Sequence, residues 1–195
     1  MLAQDDPDRL IASAPIPVCT STRAGENQTV TGSDYFGVRK SRGATWFGLR
    51  LHLTTTTSQV VDDWLLAPAA PHASQVMPAF FESRGEWVVL GDGAFHNPVA
   101  EPVLQAREVV VFAPPRRDNR SRPSWPAPLR RLLGRVRRQI ETALSVLTTV
   151  FDLERPRSRS RAGLVCRIST RLLAYNLCFI TGPLLAQLSS GTTPN

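Results

Sequence analysis

Residues 88–95 read VVLGDGAF, an apolar run that passes without a polar break into Gly91, Asp92 and Gly93. Such a run shows no in-and-out alternation and ends at a Gly, which predicts a central strand covered on both faces. A strand of that kind belongs to an α/β sheet, and Asp92 then stands where the strand leaves the core. In open α/β sheets that end of a strand is where ligands bind. The alternative role is a turn, because Asp between glycines suits a tight loop.

The rest of the chain reads as elements around this strand. RLIASAPIPVC (9–19) predicts a short strand stopped by Pro15 and Pro17. Residues 20–43 are polar and aperiodic, and predict a long loop. WFGLRLHLT alternates, with Phe47, Leu49, Leu51 and Leu53 on one face and Gly48, Arg50, His52 and Thr54 on the other. This predicts a half-buried strand with His52 on its solvent face. The Thr-Ser run 54–58 reads as a turn and QVVDDWLLAPA as the returning hairpin strand. A helix is expected over Ser74–Ser83, a short one over 98–106, and a further buried strand in EVVVFAPP.

A Pro/Arg/Ser linker occupies 114–128. A long amphipathic helix is expected from about Pro128 to Phe151, with apolar residues at 129, 132, 133, 136, 140, 144, 147 and 151. ERPRSRSR interrupts it, and AGLVCRISTRLLAYNLCFI predicts a final helix, apolar almost all round, with Cys166 and Cys178 in the core. No internal repeat is present.

Charge divides the chain. From Arg116 to Arg171 fifteen Arg face four acids, a local charge of +11, while the whole chain carries +7. The remainder is net acidic. Lys40 is the only Lys, and the planar fork of Arg suits phosphate. A basic half joined to a mildly acidic one is the electrostatic footprint of a polyanion binder. The three cysteines form no CxxC pair, which points to free thiols in a reducing cytoplasm. The acidic N-terminus lacks the apolar segment of a secretory signal. The most hydrophobic stretch, 172–188, contains Asn176, Gly182 and Pro183, so it reads as a buried helix and not a membrane span.

Asp92 needs a partner to be more than a turn residue. The long helix carries a single acid, Glu141, with Arg137 four residues before it and so on the same side, at the edge of the apolar stripe. Alone, that pair is a surface salt bridge. Together with Asp92 it makes a two-carboxylate metal site in an Arg-rich surround, since hard oxygens hold Mg²⁺ and paired ions can stabilise both attacking and leaving oxygens.

WFGLRLHL, LAPAAPH, VVLGDGAF, RRQIETALSVLTTVFDLERPRSRS and RLLAYNLC occur here in an order and spacing that resembles the DDE transposases of bacterial insertion sequences, from about Arg9 to Leu188. The resemblance implies an α/β, ribonuclease-H-like fold: a mixed sheet flanked by helices, with a long C-terminal helical portion. It implies a sheet core over 1–113, the linker 114–128, and helices over 129–195 completing the same domain. It implies a catalytic domain for DNA transposition, in which Mg²⁺ (or Mn²⁺) held by Asp92 and Glu141 supports DNA cleavage and strand transfer. Arg137 matches the Arg of the family's C-terminal signature. The implied partner is double-stranded DNA, as transposon ends and target, without a membrane and with a homodimer as one assembly open to it. Arg130, Arg131, Arg138, Arg155, Arg157 and Arg159 are then the phosphate contacts.

The chain departs from the family pattern. The first catalytic Asp of the family falls at Ala12, in ASAP, while Asp5, Asp6 and Asp8 precede the strand. The Tyr and Lys flanking Arg and Glu in some relatives fall at Gly134 and Thr148. Only about eleven residues precede Ala12, where relatives carry a helical DNA-end-binding region. The expectation is therefore a truncated or catalytically damaged copy, with a DNA-binding remnant as the alternative and an RNA-binding module as a third reading. His72 and His96 are further candidates to touch substrate or metal. Trp125 is expected either to stack on a base or to anchor its loop.

Overall fold

The structure is a computed structural model, and it describes residues 8–39, 44–83, 85–115 and 125–189. Its centre is strand β1 (Asp8–Thr20), which pairs in parallel with β5 (Trp87–Leu90) on one edge and antiparallel with β3 (Ala44–Thr56) on the other. β5 pairs in parallel with β6 (Val109–Phe112). β3 is long enough to serve two further strands along its outer edge, β2 (Phe36–Arg39) and β4 (Val61–Pro68). The result is a six-stranded mixed sheet of order β2-β3-β1-β5-β6, with β4 also on β3. With α/β layering and a long C-terminal helix, this is the ribonuclease-H-like arrangement expected.

Both faces of the sheet are covered, and the alternation along β1 shows how. Ile11 joins a core with Met77 and Phe80 of α1 (Ala73–Phe80), Leu104 of α2 (Glu101–Gln105), Phe81, Val89 and Phe95. Leu10, Ala14 and Ile16 join the opposite core with Leu49, Leu51, Leu53, Ile140, Ala143 and Leu147 of α3 (Ala127–Thr149), and Leu164, Ile168 and Leu172 of α4 (Arg161–Ser189). Gly91 is needed where β5 ends, because a Cβ there would lie 3.0 Å from Ile11 Cγ2 and 3.2 Å from Phe95.

α4 is clamped to the β3–β4 hairpin by two adjacent residues of the LLAYNL segment. Tyr175 donates its hydroxyl to the Gln59 carbonyl at 3.0 Å. The Asn176 amide accepts from Val61 N–H at 2.9 Å and donates to Val61 C=O at 2.7 Å. Burial pushes the Tyr175 phenol up to about 12.

Several expectations are corrected. β1 does not stop at Pro15 but continues to Thr20, pairing Pro15 with Arg50 and Pro17 with Gly48. Beyond Leu10 only β3 flanks it among the described residues, so one edge needs no N–H donor there. The loop expected over 20–43 contains two 3₁₀ turns (Ser21–Glu26 and Ser33–Tyr35) and the strand β2. His52 is buried, 1% exposed, because α1 and the segment around Phe95 cover the face expected to meet solvent. β6 is an edge strand, which leaves Val110 and Phe112 exposed. α4 buries only one side, so Cys166 and Cys178 are exposed. Among the described residues no helix is long and apolar enough to cross a membrane. Most of the linker, residues 116–124, lies outside the described residues.

Candidate active site

Asp92 lies two residues beyond Leu90, where β5 has ended and the chain turns. Its carboxylate is divided between two tasks. Oδ1 accepts from Ala94 N–H at 2.8 Å, while its own carbonyl accepts from Phe95 N–H at 2.9 Å, which closes the turn. Oδ2 is left for the cleft, 3.7 Å from Arg137 Nη2. The turn role and the site role therefore coexist in one side chain.

α3 supplies the other half. Ile140, Ala143 and Leu147 are its buried stripe against the sheet, which fixes the rotation of the helix about its axis. Glu141 follows Ile140 at the stripe's edge, and Arg137 stands one turn earlier. Arg137 Nη2 donates to Glu141 Oε1 at 3.2 Å, so one guanidinium nitrogen touches the carboxylates of both Asp92 and Glu141. Arg137 Nε is buried without a partner. Two acids 49 positions apart in sequence are thus brought to a single cation by the end of a strand and the edge of a helix.

Ala12 belongs to the same end of the sheet. Parallel pairing runs from Asp8↔Val88 to Leu10↔Leu90 and ends two residues before Ala12 on one strand and two before Asp92 on the other. Ala12 packs on the core face that holds Ile140, the face on which α3 lies. Its methyl group offers no donor. Among the described residues no group of three His, Cys, Asp or Glu is placed to share a metal ion.

The basic residues form two exposed sets. Arg130, Arg131 and Arg138 are exposed along α3, and Arg155, Arg157 and Arg159 on the loop that follows. That loop is held from behind: Arg171 Nη1 donates to Asp152 C=O at 2.6 Å, its Nη2 to Arg155 C=O at 3.2 Å, and Arg167 Nη1 to Pro156 C=O at 3.1 Å. Arg167 and Arg171 thus serve the scaffold, while the alternating Arg155, Arg157 and Arg159 of the loop itself face solvent.

His72 has a structural task, as the cap of α1: its Nδ1 accepts from Ser74 N–H, and Gln75 Oε1 reaches back to His72 N–H at 2.9 Å. His96 is half-buried just past the Asp92 turn. Trp125 meets Phe112 edge to face at 6.5 Å, as a loop anchor does. Sequence reasoning missed a polar cluster on β1, where buried Arg9 pairs with Asp62, lies 4.8 Å over the Trp87 ring, and shares Asp62 with the Thr54 hydroxyl at 2.8 Å. The Asp-Asp pair in VVDDWLL was its only visible signal.

The strand-end Asp and the helix Glu thus stand together on a ribonuclease-H-like sheet. The model of the family described as the transposase DDE domain matches residues 6–177. The chain belongs to that family. No curated protein and no solved structure matched it.

Proposed function

We propose that this chain is the catalytic domain of an insertion-sequence transposase that grips DNA through the Arg-rich surface of α3 and the following loop and presents Asp92 and Glu141 to a scissile phosphodiester. The observation that carries the reading is the meeting of those two carboxylates on Arg137. Their oxygens are the hard donors a divalent cation prefers, so Asp92 and Glu141 would hold Mg²⁺ or Mn²⁺. When bound, such an ion supplies Lewis-acid stabilisation of the reacting oxygens. Arg137, with a bidentate fork, is suited to orient a phosphate between the helix and the strand end. Arg155, Arg157 and Arg159, exposed on a loop held rigid by Arg167 and Arg171, fix the register of the duplex without reading its sequence.

Ala12 falls where the family resemblance places the first carboxylate, and its methyl group can hold no metal. A second reading therefore carries weight: a DNA-binding transposase remnant, slow or inactive in cleavage. The two are separated by incubating supercoiled plasmid with the chain in Mg²⁺ and in Mn²⁺, beside Asp92→Asn and Glu141→Gln. Nicking that both substitutions abolish supports the enzyme. Salt-sensitive binding with no nicking above background supports the remnant, and absence of binding contradicts both.

A further inference from the structure

Arg50 lies on β3 opposite Pro15 of β1 and Ala67 of β4, on the face covered by α1 and not the face that carries Arg137. Its Nε is buried without a hydrogen-bond partner, and among the described residues no ion pair reaches its guanidinium. Two residues along the same face His52 is fully buried, and its Nε2 is likewise unpartnered. The contrast with Arg9 is informative, because Arg9, on the same face of the sheet, is matched to Asp62 and Trp87. Arg50 is partly exposed, so its guanidinium is held partly out of water with Nε unpaired, a cost that a partner reaching it from solvent would offset.

We infer that Arg50 is a contact for a backbone phosphate of DNA, on the sheet face opposite Arg137, with His52 as the floor beneath it. Its placement fits a strand of nucleic acid that passes Asp92. Pairing of β1 with β5 ends at Leu10↔Leu90, and from there β1 and β3 run on past the end of β5. Arg50, level with Pro15, lies three residues beyond Ala12 along β1. That is about 10 Å along the strand direction, or roughly three base-pair rises of a duplex. Desolvation, with the Arg50 charge, lowers the His52 pKa, so the imidazole stays neutral and Arg50 is the cation offered there. Burial lowers the Arg50 pKa too, the mark of a charge held out of water, which a bound phosphate would relieve.

The inference rests on the DNA-binding reading, and the test keeps the two apart. Binding of a fluorescent 30-base-pair duplex to the full chain is followed across a salt titration for the wild type, Arg50→Gln, Arg50→Lys and Arg50→Leu, with a thermal melt of each. The expected result is a log-log salt slope about 0.9 shallower in the Gln and Leu variants, the value for one lost phosphate contact. Arg50→Lys should keep the wild-type slope, and the melting temperature of the neutral variants should equal or exceed that of the wild type. A wild-type slope of zero sinks the DNA reading itself. A steep wild-type slope that Arg50→Gln or Arg50→Leu retains overturns the assignment of Arg50 alone, as does a lowered melting temperature with the slope unchanged, which would make Arg50 a fold residue.

Discussion

Arg137 Nη2 lies 3.7 Å from Asp92 Oδ2, across the gap between the end of β5 and the edge of α3. The same nitrogen is 3.2 Å from Glu141, so a cation already sits between the two acids. A metal ion entering that gap must compete with it. Arg137→Gln should therefore tighten Mn²⁺ binding by about two- to fivefold, the scale of a solvent-screened charge pair. Titration of free Mn²⁺ by electron paramagnetic resonance reads this directly, and weaker binding in the variant would contradict the bridging role.

The Arg-Ser loop makes a separate prediction. Replacing Arg155, Arg157 and Arg159 together by Gln should make the salt slope of duplex binding shallower by about 2–3, close to 0.9 per lost phosphate contact. Because all three side chains are exposed, the thermal melt should stay within a few degrees of wild type. A slope unchanged by the triple substitution would move the DNA path elsewhere.

His52 ties stability to pH. Burial first, and the Arg50 charge second, lower its pKa from 6.5 to about 4. Between those values the unfolded chain takes up a proton that the folded chain refuses, so stability falls as pH drops from about 6.5 towards 4 and then levels off. The full contribution is about 3 kcal/mol. Urea denaturation at pH 7, 5.5 and 4.5 should show the loss in the wild type and a clearly smaller one in His52→Leu; parallel curves would place the titration elsewhere.

The α4 clamp should be costly to break. Asn176→Ala leaves both Val61 backbone groups without their partner and should cost about 2–4 kcal/mol, against about 1 kcal/mol for Tyr175→Phe. Urea midpoints at constant m-value check both, and equal small effects would show that α4 is held by its apolar face alone.

Much of this architecture could be read from residue patterns, and the failures share a cause. The uninterrupted VVL run revealed a doubly covered strand because burial on both faces removes alternation, and α3 was legible because one face of it stays wet. The WFGLRLHLT alternation misled for the opposite reason: Arg50 and His52 look like solvent-facing residues, yet His52 is buried beside Phe95 and Arg50 is only partly exposed. α4 misled in turn, since its apolar residues outnumber those the sheet can cover and Leu173 and Leu177 stay exposed. The pairing of Asp92 with Glu141 was legible in the sequence, but the contact of Arg137 with Asp92 was not, because it depends on the rotation of α3 that Ile140 and Ala143 set. Arg9 and Asp62 carried no periodic signal linking β1 to β4.

The most direct test of a three-position site is restoration at Ala12. On the proposed reading, a carboxylate placed there would join Asp92 and Glu141 as a third metal donor. Cleavage of a DNA substrate in Mg²⁺ is compared for the chain as it stands, Ala12→Asp, and Ala12→Asp combined with Glu141→Gln. Metal stabilisation of several kcal/mol converts to about two to four orders of magnitude in rate. The account predicts a gain of that order with Ala12→Asp and its disappearance when Glu141→Gln is added; equal cleavage with Ala or Asp at position 12 would contradict it.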